Sequence, residues 1–263
     1  MSTGTIVNRP ILSNVLILLV VGEIHRLAEL KLVKTSLLLR GYLELPTVLH
    51  LVREVKVSHK CFSVCRYKDK TYVGNGFRSN VDRILADYKL ERSFIQIEGD
   101  VDAMAVDSRG VLYTLSYESS EWEIYMHVAE TGAYAGSFSH ADTTCWSLGL
   151  AIVGERVIIP NRTMSIITVY KSTGSYMKSI GCDGMLGSHG VAICAFETDS
   201  VIVSSEDSRK VFRVNIDTGE KLWVYQHDSK PGGVSPCGPD YVIMADMTSE
   251  CPKFTILDAK SGE

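Results

Sequence analysis

Four of the seven histidines, His59, His140, His189 and His227, sit in polar stretches between apolar runs, with Asp142 two residues after one and Asp228 directly after another. Imidazoles and carboxylates are the donor set of a divalent metal and the partners of acid–base catalysis, so gathered at one place they would suit a metal-dependent hydrolase. The same residue types are favoured in turns, where they cap free backbone groups. No ligand position recurs at a fixed place along the chain, so capping is the expected role. Arg78, Arg162 and Arg209, with Phe77 beside the first, offer guanidinium groups to a carboxylate or phosphate. Solvated surface arginines explain them equally well.

No nucleophile elbow, phosphate-binding loop, dinucleotide fingerprint or paired-histidine zinc motif occurs. Neither catalysis nor a cofactor is expected. The seven cysteines are an odd number without a C-x-x-C pair, which points to buried reduced thiols in a cytoplasmic protein rather than to disulfides or zinc. Residues 11–22 form an apolar run of 12 residues. That is short of the roughly 18 to 20 that cross a bilayer, and no small-x-small cleavage pattern follows it. No membrane attachment or secretion is expected, and the sequon Asn161-Arg162-Thr163 would matter only in a secreted chain.

The elements that must position these residues divide at a break in composition. Fourteen of the 23 leucines precede residue 54, where the formal charge is +3, against −7 over residues 54–263. Such a shift marks a boundary between two kinds of structure, 1–53 and 54–263. In the first, residues 23–40 lack Gly and Pro and place Leu27, Leu30, Val33 and Leu37 at spacings of three and four. This predicts an amphipathic helix that packs on the next domain or self-associates.

Beyond residue 54 short β-rich runs recur with a period near 43. The first strands, 62–65, 102–105, 146–149, 190–193 and 233–236, are offset by 40, 44, 44 and 43. Second strands fall at 71–74, 111–114, 156–159, 200–203 and 241–244, and third strands at 81–84, 122–125, 166–169, 211–214 and 254–257. A turn then recurs at Thr131-Gly132, Thr173-Gly174, Thr218-Gly219 and Ser261-Gly262, where glycine can take positive φ and reverse the chain into a fourth strand. The first unit lacks that glycine and has Tyr88-Lys89-Leu90 instead. Four strands per unit at this period predict an all-β propeller of four-stranded blades. Five units are visible. The extra strand at 54–57 would complete the fifth in a five-bladed ring, or belong to an incomplete six-bladed one.

The segment Asp107-Ser108-Arg109-Gly110-Val111-Leu112-Tyr113 resembles the aspartate, turn glycine and strand of the NHL-like six-bladed propeller repeats, and residues 217–223 are similar to the turn of quinoprotein-like blades. The resemblance covers roughly residues 54 to 263 and implies a fold. Propellers of this kind end tripartite-motif ubiquitin ligases, but this chain has no Cys/His zinc array of the ligase type, so ligase chemistry does not follow.

In such a fold the connections from fourth to first and from second to third strand emerge on one face. That gathers His59, Phe77, Arg78, His140, Asp142, Arg162, His189, Arg209, His227 and Asp228 as the candidate binding residues. The expected function is a non-catalytic scaffold that binds a protein or peptide through this loop face. The alternatives are a lactonase-like hydrolase with a metal at the channel mouth, and an RNA-binding propeller. The last is disfavoured by the acidity of residues 54–263 and the few aromatics on these loops.

Overall fold

The computed structural model describes residues 13–17, 26–34, 47–56, 61–76, 79–118, 121–140, 149–187, 191–246 and 253–263. These form strands joined by turns, arranged as a five-bladed β-propeller preceded by a three-stranded sheet. The first blade holds β4 (Cys61–Tyr67), β5 (Lys70–Asn75), β6 (Asn80–Ile84) and β7 (Leu90–Gln96), and the second β8 (Asp100–Val106), β9 (Val111–Glu118), β10 (Glu121–Val128) and β11 (Tyr134–His140). The third holds β12 (Ala151–Val153), β13 (Arg156–Asn161), β14 (Ile166–Lys171) and β15 (Tyr176–Gly181), and the fourth β16 (Val191–Phe196), β17 (Ser200–Ser205), β18 (Lys210–Asn215) and β19 (Lys221–Gln226). The fifth holds β20 (Pro231–Cys237), β21 (Tyr241–Asp246) and β22 (Lys253–Asp258). Pairing within each blade is antiparallel and sequential, and the first strands of successive blades lie side by side from β4 to β20.

The second, third and fourth blades pack against a neighbour on each face, which is why their second strands read as apolar runs rather than alternating ones. Val201 and Val203 face the third blade, in a cluster with Ile167 and Val169, while Ile202 faces the fifth, in a cluster with Val242 and Met244. A second wall joins Tyr113, Leu115, Trp122 and Ile124 to Val157, Ile159 and Tyr170 of the third blade. A third joins Tyr72, Val81 and Ile95 to Val101, Met104 and Leu112.

The recurring glycines have two physical duties. Gly132, Gly174, Gly219 and Gly262 all take left-handed backbone, φ 74 to 89°, and each lies against the outer strand of the preceding blade. A Cβ on Gly174 would stand 2.6 Å from the Phe138 side chain, and one on Gly262 2.8 Å from the Trp223 ring. The carbonyls of the same turns are held from the preceding blade as well. Tyr72 donates its hydroxyl to the Ala129 carbonyl at 2.7 Å and Arg83 its guanidinium to that of Glu130 at 2.7 Å, while Trp223 Nε1 donates to Ala259 at 2.9 Å. In the NHL-like segment, Asp107 Oδ1 accepts the N–H groups of Arg109 and Val111, both at 2.9 Å, so the aspartate closes the turn.

Three expectations need correction. Residues Arg26–Lys34 are not helical. They form β2, between β1 (Ser13–Ile17) and β3 (Thr47–Lys56). Leu27, Leu30 and Val33 fit a helical spacing, but Ala28, Leu30 and Leu32 also alternate with Glu29 and Lys31, a period of two. Pairing on both sides supplies the hydrogen bonds that a helix would make internally. Secondly, residues 54–56 belong to β3 and pair with β2, so they do not complete the fifth blade, whose β22 pairs with β21. Thirdly, the innermost strand of the third blade is Ala151–Val153, because the tight turn at Gly154-Glu155 pairs Val153 with Arg156. The strand expected at 146–149 falls largely outside the described residues. No described helix is long and apolar enough to cross a membrane.

The turn seats make a differential prediction. Gly174→Ala should cost about 2–5 kcal/mol, since left-handed backbone costs an L-residue about 1–2 and overpacking adds about 1–3. Gly219→Ala, whose added Cβ would lie 3.4 Å from Ile180, should cost only the backbone part, about 1–2 kcal/mol. Urea melts of the two variants measure this, and equal losses would remove the packing half of the argument.

Candidate functional site

Of the ten candidate residues, His59, Phe77, Arg78, Asp142 and His189 lie outside the described residues. His140 ends β11 and is 4% exposed, with Nδ1 2.7 Å from the Tyr170 hydroxyl. It therefore sits in the wall between the second and third blades. Arg162 lies in the turn after β13. Arg209 does not occupy the matching place: its carbonyl accepts the N–H of His227 at 2.8 Å, just as that of Ser165 accepts from Cys182 and that of Ser79 from Ile97. All three residues take left-handed backbone, φ 50 to 54°, so Arg209 aligns with two serines.

The structure does bring Arg209, His227 and Asp228 together. Arg209 Nη1 is 3.4 Å from the Asp228 carbonyl, and Gln226 Nε2 donates to the Arg209 carbonyl at 3.1 Å. His227 Nε2 lies 2.9 Å from Ser229 Oγ, and no described carboxylate orients its other ring nitrogen, as a hydrolytic triad requires. Among the described residues no group of three or more His, Cys, Asp and Glu is placed to hold a metal. Cys182 is fully buried and its thiol is pushed up to about 12 by that burial, so it is no nucleophile near neutral pH.

Two features escaped the sequence reading. The first is Asp102, half-buried in a β-bulge of β8, where the ladder to β9 passes from Val101 to Ala103. Burial, and then the nearby Asp100, push its carboxyl up to about 7.

The second is a recess of about 730 Å³ between the end of the first blade and the second. It is lined by alternate residues of β10, namely Glu121, Glu123, Tyr125 and His127, while Trp122 and Ile124 on the other face pack on the third blade. Glu118 of β9, Tyr134 of β11 and Glu98 beyond β7 add to its polar lining, with Gln96, Ser116 and Ser137. Glu123 accepts a hydrogen bond from Ser139 Oγ at 2.9 Å, and the Glu98 carbonyl one from Ser116 Oγ at 2.6 Å. Burial, and then Glu98, Glu123 and Glu118, push the Tyr125 phenol up to about 12.

His127 is 4% exposed, and its Nδ1 has no hydrogen-bond partner. Its ring meets Tyr134 edge-on at 5.6 Å between centroids, and burial holds its pKa below the usual imidazole value. The register shift against the fourth strand places His127, Tyr170 and Val214 at one equivalent position in three blades. Comparing the third strands across blades is the signal that could have found it.

No protein-family model matches the chain, and no curated protein does. Solved structures do resemble it. A protein of unknown function from Bacteroides caccae is 11% identical with a TM-score of 0.63, covering 80% of this chain and 83% of that one. U3-55K is 11% identical with a TM-score of 0.61, covering 78% and 63%. The computationally designed Ika8 protein is 14% identical with a TM-score of 0.55, covering 92% and 70%. At such identities the likeness is one of fold, and it agrees with the β-propeller built above.

Asp102 generates a prediction about pH. The unfolded chain releases this proton near 3.8 and the folded chain near 7, so between those values the folded state binds more protons and stability falls as pH rises. Asp102→Asn should lose this part of the pH dependence and gain stability relative to the parent at pH 7.5 but not at pH 4. Urea midpoints at both pH values test it, and parallel profiles would refute it.

Proposed function

We propose that this chain is a non-catalytic propeller scaffold that holds a protein or peptide segment at its loop face. The observation that carries this reading is the recess between the first and second blades. Its volume falls within the roughly 300–1,000 Å³ of ligand-binding clefts, and it is walled by a sheet whose other face is locked into the core through Trp122 and Ile124. A site built on a strand packed in this way is preorganised, which limits the ordering cost of binding. Glu98 lies in the connection from β7 to β8 and Glu118 ends β9, so both belong to the two kinds of connection expected on the loop face. The NHL-like turn at residues 107–113 fits the reading as a matter of fold, since Asp107 is occupied in closing its own turn.

The test is a random peptide library selected on the immobilised full chain. Enriched sequences, made synthetically, should bind in the micromolar range and slow amide exchange in β9, β10 and the β7–β8 connection. No enrichment, or protection confined to other blades, would overturn the reading.

A further inference from the structure

We propose that the recess takes a basic segment of its partner, with an arginine or lysine side chain entering between Glu98, Glu118, Glu121 and Glu123. This deepens the reading above and rests on it.

Charge carries the first part of the argument. Elsewhere on the described surface, several acidic side chains are matched from within the fold. Glu91 pairs with Arg83 at 2.6 Å and Glu130 with Lys68 and Lys70, while Glu197 pairs with Arg213, Asp217 with Arg156 and Asp183 with Lys221. The four glutamates of the recess have no basic partner among the described residues, and no Lys or Arg lines it. A solvated acidic face could look the same if charge were all there was.

His127 is the second, independent observation. At the same strand position the third blade has Tyr170 and the fourth Val214, both buried in interblade walls. The second blade has a histidine that is buried yet lines the recess with Nδ1 unbonded. An unsatisfied buried polar group costs stability. Neutral imidazole in the lining of an anionic recess can accept an N–H from a guanidinium or ammonium group once the side chains over it move aside, which recovers that loss on binding. Tyr134, 62% exposed at the rim and edge-on to His127, offers a ring face on which a guanidinium can lie. Carboxylates around the rim, an aromatic face and a neutral acceptor at the floor are together complementary to a basic side chain.

The probe is a fluorescein-labelled octapeptide alternating arginine and glycine, titrated against the full chain and followed by anisotropy, beside the same peptide with citrulline for arginine. Citrulline keeps the shape and removes the charge. The arginine peptide should bind at least about tenfold more tightly. Glu118→Gln/Glu121→Gln/Glu123→Gln should remove most of that binding with the melting temperature kept or raised. Glu155→Gln/Glu220→Gln/Glu263→Gln, an equal charge change away from the recess, should alter it less than twofold. His127→Tyr, which installs the residue of the third blade, should keep the fold and weaken the peptide several-fold.

Equal loss in the two triple variants, or equal affinity of the two peptides, would overturn the proposal in favour of diffuse attraction to an acidic chain. Were the triple variant to unfold, the single exposed change Glu121→Gln reads out the same comparison. Neutral or acidic peptides selected from the library and mapped to β9 and β10 would leave the scaffold reading standing and sink the basic partner.

Discussion

The close approach of each third-to-fourth-strand turn to the blade before it is the constraint on which the rest of this propeller depends. Positive φ alone does not demand glycine there, because the first blade holds Tyr88 at 65° in the corresponding turn. What glycine supplies in the third and fifth blades is the missing Cβ, where the Phe138 side chain and the Trp223 ring come too close for one. With the turn seated, its carbonyls lie within reach of Tyr72, Arg83 and Trp223 from the preceding blade. The two faces of the sheet then meet apolar neighbours on either side. A propeller has no core other than these walls, so the seat, the carbonyl bonds and the walls set one another's geometry.

That redundancy is what lets the second blade carry polar residues in a wall. Its turn rests against Phe94 and Ile95 through Gly132, and its inner part is joined to the first blade by Val101, Met104 and Leu112. Between those anchors the row Glu121, Glu123, Tyr125 and His127 is not needed to hold the blades together. A recess opens where the other walls are filled. The cost is local: like charges crowd one another, and His127 gives up a hydrogen bond that water would supply.

The repeats were legible in the sequence because burial on both faces turns second strands into apolar runs such as Val157-Ile158-Ile159, and because the seat imposes glycine at a fixed place after the third strand. The N-terminal element was not, since its leucine spacing satisfies a period of 3.6 and a period of two at once, and pairing partners decide between them. The innermost strand of the third blade was missed because Trp146 drew the alignment, whereas register is set by the two-residue turn at Gly154-Glu155. The recess was hidden for another reason. Along a single strand Glu-x-Glu-x-Tyr-x-His reads as a solvent-facing row, and which neighbour such a row faces is a property of two blades. The histidines singled out first were the conspicuous ones at turns, and of the two whose side chains are described, His140 is spent on a wall and His227 on its own loop.

The acid of the second blade is concentrated more than its neighbours require. Asp100 and Asp102 lie on its innermost strand, Glu118, Glu121 and Glu123 on the next two, and Glu98 just before it, and burial pushes both Asp102 and Tyr125 toward their protonated forms. Scattered over the surface, the same charges would be screened within about 10 Å at moderate salt and would attract nothing in particular. Gathered along one interblade seam between low-dielectric walls, Glu98, Glu118, Glu121 and Glu123 focus the field into the recess and draw a cationic segment toward it before contact. Selectivity then falls to the floor, because a cation held only by carboxylates exchanges freely, whereas one that must also satisfy His127 and lie on Tyr134 has a single orientation. In such an arrangement the glutamates govern the rate of encounter and the buried histidine governs residence, so the two properties can vary separately through different residues of one strand.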